Sequence, residues 1–470
     1  MSINGHDLFG NVSFDLSDSE DVNVNYKTVV IGPNGTGKST ILSCLADAIT
    51  IECSEKKNKS LTAITYGYDL QIKDGEKELL VSSSDLTKIK KYGKGKILAI
   101  SSTPNDRFPY LAKNSVRKTQ QYCYLGMKSA SNNIFFANMK EKLFQDIVVV
   151  CNSLMRVKGA RRVLGELGFS SKFSITLDKG SNFSVFQKAS VDGVLHANGG
   201  AKFQNAAFSE FIASTLFKKN RKSIDKIVRE TNDSIAPYKI NANIATIRRN
   251  KILLDKIALI ANLVAAKILT ITSFSIFSEN GIDLHQASSG EFNILKIFLS
   301  ILANVENNSV ILIDEPEVSL HPNWQISFLD LLDKTLEDFS GCHSVIATHS
   351  HFILSNLQDS DSTILALQRN HSDNSIEINK LDVHSYGWSP EHTLYEVFGV
   401  TGFRNKYLEL DLRILISYIS NGQGNFAEFS SAVKRVAKFN IQRNDPLYKL
   451  IQNAKAMTGG KSAKSIAVSK

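Results

Sequence analysis

The sequence predicts an α/β fold: a mixed β-sheet with flanking helices, interrupted by a helical insertion and followed by a helical C-terminal region. Three observations carry this reading. Lys27–Ile31 (KTVVI) is a short β-branched run, read as a buried strand, that leads into the glycine-rich segment Gly32–Thr40 (GPNGTGKST). A second apolar run, Ser309–Asp314 (SVILID), ends in Asp314 and is followed at once by Glu315. Between them the chain follows mainly the helical period, and beyond residue 385 only helix-like segments remain.

Each element follows from its local pattern. Ile41–Ile49 continues the glycine-rich loop as a helix with apolar residues on one side. Residues 61–100 alternate as strands and end in Lys96–Ile100 (KILAI), after which Ser101–Pro109 (SSTPNDRFP) is a turn-rich break. Glu291–Asn304 reads as an apolar helix, Trp324–Phe339 as one amphipathic helix, and Ser344–Thr348 (SVIAT) as a strand. The expected organisation is residues 1–118 as the first part of a head, 119–279 as a mainly helical insertion lobe, 280–384 as the second part of the head, 385–457 as a helical region and 458–470 as a flexible tail.

Composition narrows the function classes. With 470 residues, 43% hydrophobic and 21% charged, the chain is neither collagen-like nor disordered. Its most apolar stretch, Ile257–Ala266, lies between Lys256 and Lys267 and is far short of the ~20 residues that cross a bilayer, so no membrane partner is expected. Five scattered cysteines without a CxxC pair predict neither a disulfide framework nor a zinc site. With no charged-then-apolar run at the N-terminus, a cytoplasmic location is expected.

The net charge of +9 is concentrated. Residues 86–118 hold Lys88, Lys90, Lys91, Lys94, Lys96, Arg107, Lys113, Arg117 and Lys118 against the single acid Asp106. Residues 215–256 hold eleven Lys/Arg against four acids. Two basic patches on an otherwise acidic chain point to an anionic partner such as nucleic acid, or else to solvated helical faces.

Gly32–Ser39 fits G-x4-G-K-[ST] at every position. Glycines let the backbone curl so that the N–H groups from Asn34, Gly35, Thr36 and Gly37 through Thr40 can face phosphates, and the following helix adds its positive end. In this chemistry Lys38 reaches the β- and γ-phosphates of ATP and Ser39 takes one position on Mg²⁺. Near the C-terminus Gly460-Lys461-Ser462 copies only the end of the motif, because Lys455 stands where the first glycine is needed.

A buried strand delivers Asp314 beside that loop, where it can hold Mg²⁺, and Glu315 follows, placed to orient and deprotonate an attacking water. Ala287-Ser288-Ser289-Gly290-Glu291 precedes an apolar helix; its simplest reading is an N-cap, and its position before Asp314 makes Ser288, Ser289 and Gly290 candidates for contacting an anion. His349 ends the SVIAT strand, where an imidazole can bond a γ-phosphate and sense its loss.

The ordered set GPNGTGKST, SSGE, VILIDEPEVSLHP and ATHS resembles the ABC-type ATPases of the SMC/RecF/OLD-like branch over roughly residues 1–110 and 280–370. The resemblance implies an ABC-ATPase head and a head-to-head dimer in which Ser288-Ser289-Gly290 of one subunit closes the ATP site of the other, with Glu317–His321 as a dimer-contact loop. The signature departs from that of transporters at Ala287, Ser289 and Glu291, and Ser101-Ser102-Thr103-Pro104 stands where a glutamine loop is expected. More narrowly, Ser101–Pro109, Tyr124–Asn132 (YLGMKSASN) and Trp388–Asn405 (WSPEHTLYEVFGVTGFRN) are similar to PtuA-type ATPases of prokaryotic Septu and retron-associated antiphage defence. That likeness implies an oligomeric ATPase working with a separate HNH nuclease, PtuB-like, and in retrons also with a reverse transcriptase and its msDNA.

The alternative reading is a RecF-like DNA-binding ATPase of repair or recombination, which the basic segments also suit. A transporter subunit would lack so long an insertion. An OLD-type nuclease would carry its own metal centre, and Asp359-Ser360-Asp361 sits in a polar turn without that context, so no nuclease activity is expected of this chain itself.

Overall fold

A computed structural model describes residues 1–17, 23–53, 69–74, 77–81, 95–103, 106–109, 122–126, 135–191, 206–233, 237–278, 289–357, 359–370, 375–381, 406–421, 425–438 and 446–464. Strands β1 (Ser2–His6) and β2 (Gly10–Ser13) lead to β3 (Tyr26–Ile31) and the helix Lys38–Cys53, followed by β4 (Asp69–Asp74), β5 (Lys77–Val81), β6 (Ile97–Ser101) and β7 (Tyr122–Tyr124). Strands β8 (Phe169–Lys179), β9 (Tyr238–Asn243) and β10 (Leu269–Ser278) lie in the insertion. Then come β11 (Val310–Asp314), β12 (His343–Thr348), β13 (Ser362–Arg369) and β14 (Ile376–Leu381).

Among the described residues the central sheet has seven strands in the order β14-β13-β3-β12-β11-β6-β7, parallel except for the antiparallel edge strand β14. This is the mixed α/β fold the sequence predicts. Its parallel strands are apolar runs because both faces are covered. Alternate residues such as Val30, Leu312, Val345 and Ala347 share one buried core with Ile41, Leu42 and Leu45 of the first helix. A second, antiparallel sheet of order β2-β1-β4-β5 adjoins the same core through Ile3 and Phe9.

The insertion departs from its reading in one respect. Beside the helices, β8, β9 and β10 form a three-stranded antiparallel sheet. In β8 the alternating Phe173, Ile175 and Leu177 are buried, a period-2 signal hidden between longer helical stretches. Strand β7 also extends the central sheet past residue 118, the expected edge of the first head segment. The insertion is tied to the helix Ser289–Asn304 and the residue after it by polar groups: buried Asp146 accepts from Ser300 Oγ, and part-buried Arg156 Nη2 donates to Val305 O at 3.0 Å.

Two further differences concern helices. The expected single helix Trp324–Phe339 is two, Pro322–Ile326 and Phe328–Leu336, separated at Ser327. The expected tail begins as helix, since Pro446–Lys464 is continuous; residues 465–470 lie outside the described residues.

Contacts divide the chain into two compact units, Met1–Thr393 and Leu394–Lys470. The second holds helices Lys406–Asn421, Phe426–Val436 and Pro446–Lys464 around Leu415, Phe429, Val436 and Ile451, with Tyr418 stacked on Phe429 at 4.2 Å and Arg435 Nη2 paired with Asp411 Oδ1 at 2.6 Å. Among the described residues no helix is long and apolar enough to cross a membrane.

One core group gives a pH signature. The Thr28 hydroxyl donates to Leu16 O, so it accepts from His343 Nε2, 2.8 Å away, while the ring packs edge-on against Tyr26. Part of the residue reaches solvent, yet burial of the ring pulls its pKa from 6.5 to about 4. Between those values the unfolded chain binds the extra proton, so this contribution is full above pH 6.5 and is lost as pH falls toward 4. The full loss amounts to about 3 kcal/mol. Urea midpoints at pH 7.5 and 4.5 are expected to differ more for the wild type than for His343→Gln.

Candidate functional site

The site forms where three parallel strands end together. In register, Asp314 of β11 lies level with Ala347 of β12 and Ser101 of β6, while Thr348 of β12 lies level with Ile31 of β3. The residues that follow β3, β11 and β12, namely Gly32, Glu315 and His349, therefore leave the same edge, the place where open α/β sheets bind ligands.

After β3 the chain curls through Gly32, Gly35 and Gly37, the last two at φ of 79° and 93°. A Cβ on Gly37 would also stand 2.5 Å from Phe9 Cζ and 2.6 Å from Leu8 Cδ2, so the β1–β2 turn packs directly on the loop. Within the loop Thr36 Oγ1 donates to Pro33 O at 2.9 Å, and the N–H groups of Thr40 and Ile41 both reach Gly37 O at 3.0 Å, starting the helix. Asn34 and Gly35 are exposed. Two arginines brace this loop: Arg369 Nη2, absent from the sequence reading, donates to Gly35 O at 3.0 Å, and Arg107 Nη1, read there only as part of a basic segment, donates to Thr40 Oγ1 at 2.8 Å.

Lys38 is buried, and its Nζ donates to Gly32 O at 2.7 Å and Pro33 O at 3.0 Å and lies 3.1 Å from His349 Nδ1. Burial lowers its pKa to about 8, against the pull of Glu315, Glu317 and Asp314. Ser39 Oγ donates to Asp314 Oδ1 at 2.8 Å across 275 residues of sequence. Burial also raises the Asp314 carboxyl to about 7, the Ser39 bond opposing it and the Glu315 charge adding to it. A buried carboxylate beside a hydroxyl, crowded by other acids, is a setting that a divalent cation would stabilise.

Glu315 takes a left-handed φ of 49°, uncommon for a residue with a side chain, and its N–H bonds Ala347 O at 2.9 Å. Its Oε1 lies 3.5 Å from His349 Nε2. Burial, then the Lys38 charge, lower the His349 pKa, so the ring is neutral at pH 7. The tautomer that accepts from the Lys38 ammonium at Nδ1 carries its proton on Nε2, toward Glu315.

Of the signature residues, Ser288 lies outside the described residues and Ser289 opens the helix Ser289–Asn304. Gly290 is buried so tightly that a Cβ would stand 2.2 Å from Ser319 O, in the loop after Glu315. Lys38, Ser39, Asp314, Glu315 and His349 thus meet in one place, and Gly290 abuts the neighbouring loop.

Other candidates resolve differently. Asp361 Oδ2 pairs with Lys27 Nζ at 2.8 Å, and Lys27 also pairs with Asp333 at 2.8 Å, so this acid of the DSD turn serves the sheet. No cluster of three or more His, Cys, Asp or Glu suited to a metal occurs among the described residues. Of the first basic segment, Lys96 pairs with Glu306 at 2.5 Å and Arg107 with the phosphate loop; the other seven cations lie outside the described residues. In the second, Lys218, Lys219, Lys222, Lys226 and Arg229 are exposed along the helix Thr215–Asp233, whose Phe217, Ile224 and Ile227 are buried.

A model of the AAA ATPase domain family matches residues 183–354, a stretch that includes Gly290, Asp314, Glu315 and His349 and begins after the phosphate loop. No curated protein matches the chain. Among solved structures it is similar to an SMC head bound to the C-winged helix domain of ScpA, at 11% identity and a TM-score of 0.33, covering 81% of this chain and 96% of that one. It is also similar to an Smc head domain with an extended coiled coil bound to the C-terminal domain of ScpA derived from Pyrococcus furiosus, at 10% identity and a TM-score of 0.30, covering 81% and 95%. Over residues 183–354 the chain is therefore similar in sequence to an ATPase domain.

Proposed function

We propose that this chain is an ABC-type ATPase that binds ATP with Mg²⁺, hydrolyses it, and through its nucleotide state controls a separate HNH nuclease in a prokaryotic antiphage complex. The ATPase reading is carried by the Ser39–Asp314 bond of 2.8 Å, which joins the phosphate loop to the acidic strand end with Lys38, Glu315 and His349 around it. The nuclease reading is supported by the likeness of Ser101–Pro109, Tyr124–Asn132 and Trp388–Asn405 to PtuA-type ATPases. In the retron variety a reverse transcriptase and msDNA join the complex, and the exposed cations of the helix Thr215–Asp233 suit a nucleic-acid backbone.

Ser39 and Asp314 fit Mg²⁺, which needs one or two protein oxygens beside substrate phosphates and water. When bound, the ion would neutralise charge on the β- and γ-phosphate oxygens. The loop N–H groups and the start of the helix Lys38–Cys53 hold the phosphates. Lys38 turns its ammonium from the Gly32 and Pro33 carbonyls toward them. Glu315 takes a proton from the water whose oxygen attacks the γ-phosphorus, and the bridging oxygen leaves on ADP with the bond's electron pair. His349 donates Nε2–H to the departing phosphoryl group.

Two such subunits meeting head to head would each lend Ser288, Ser289 and Gly290 to the other's ATP, so loss of the γ-phosphate opens the pair. The test is purification from the native host at endogenous level with an ATPase assay. A small HNH-type nuclease in fixed ratio and Mg²⁺-dependent ATP turnover are expected. Recovery of recombination proteins alone would overturn the nuclease reading, and a protein that neither binds nor hydrolyses ATP would overturn the whole.

A further inference from the structure

Glu317 lies two residues beyond Glu315, in the turn that follows β11. Its Oε1 accepts the backbone N–H of His349 at 2.6 Å. That N–H needs a partner from outside the sheet. The pairing of β12 with β11 ends at Ala347 and with β3 at Thr348, so His349 is the first residue past both ladders.

The turn that carries Glu317 is itself seated from three sides. Asn293 Nδ2 of the helix Ser289–Asn304 donates to Val318 O at 3.1 Å. Gln325 Nε2 donates to Leu320 O at 2.9 Å, and the same Gln325 accepts from Ser350 Oγ at 2.5 Å. Gly290 presses on Ser319 O, leaving no room for a side chain. The segment 317–320 therefore has a fixed seat, and the turn bearing His349 is attached to it directly through the main chain of His349 and, by way of Gln325, through the side chain of Ser350.

We infer that Glu317 is a positioning residue for the reaction proposed above: its carboxylate anchors the His349 backbone and so holds the imidazole between Lys38 and Glu315. The ring has little tolerance, with Nδ1 3.1 Å from Lys38 Nζ and Nε2 3.5 Å from Glu315 Oε1. A backbone shift of about 1 Å would remove both contacts and can cost about 100-fold in rate. Glu317 touches no phosphate in this scheme; it acts through the backbone of His349. It also links the loop that the signature helix touches to the histidine that reads the γ-phosphate, within one chain. The inference rests on the ATPase reading.

The test compares steady-state ATP hydrolysis and equilibrium ATP binding by the full chain in wild type, Glu317→Ala and Glu317→Gln. Ala is expected to lower kcat about 100-fold with ATP affinity changed less than about 3-fold, and Gln, which keeps an oxygen acceptor, to recover most of the loss. Ala at the wild-type kcat, or Gln as slow as Ala, would overturn the positioning role. Should Ala not fold, Glu317→Asp replaces it: the carboxylate withdraws by one methylene, kcat should fall about 10-fold with binding kept, and an unchanged kcat overturns the inference. A wild type that binds no ATP sinks the ATPase reading, and this inference with it, whereas a fully active Ala variant sinks the inference alone.

Discussion

Glu315→Gln is expected to bind ATP like the wild type and to lose turnover by about 10²–10⁴-fold, the usual share of a general base. The amide keeps the size of the carboxylate and its place 3.5 Å from His349 Nε2, but it cannot take a proton. Because the left-handed turn at Glu315 aims this side chain by the backbone, at φ of 49°, the substitution changes the chemistry and leaves the geometry. Single-turnover hydrolysis beside equilibrium binding separates the two quantities. With hydrolysis blocked, the head-to-head pairing proposed above predicts that an ATP-bound dimer accumulates in size-exclusion chromatography. Wild-type turnover in this variant would remove Glu315 from the mechanism.

Lys38→Ala is expected to act on binding first. The ammonium is buried against Gly32 O, Pro33 O and His349 Nδ1, and its removal leaves the phosphates without their only lysine in the loop. Truncating one partner of a buried charge pair costs about 2–5 kcal/mol, so ATP affinity should fall by about 30-fold or more. A pH signature accompanies this. Burial holds Lys38 at about 8, whereas an adjacent phosphate favours the charged form. The bound state therefore holds more protons, and wild-type affinity should weaken as pH rises above 8, while the alanine variant stays flat there. Calorimetric titration with ATP at pH 7 and 9 checks both statements.

The elements of this site were legible because their signals are local. A β-branched strand before glycines, an apolar strand before acids and a third before a histidine each occupy fewer than ten residues, and Tyr26–Ile31, Val310–Asp314 and His343–Thr348 are indeed neighbours in one sheet. What escaped depends on residues far apart in the chain. Nothing near Glu317, Asn293, Arg107 or Arg369 announces that they brace the switch turn, the acidic loop and the phosphate loop, because each partner lies 25 to 334 residues away. Strands β8 and β10 were lost among helices for a related reason: only pairing with each other makes their alternation meaningful. The break at Ser327 was masked by an apolar period that runs on through it.

The strand order has a consequence for synthesis. Strand β3, fully buried in the finished sheet, pairs only with β12 and β13, whose residues begin at His343 and Ser362. A nascent chain therefore carries an unpartnered YKTVVI segment while about 300 further residues are made, some 15–60 s at ~5–20 residues per second on a ribosome. Through that interval both edges of an apolar strand stay open to wrong pairing, a general hazard of unpaired strand edges that lengthens as translation slows.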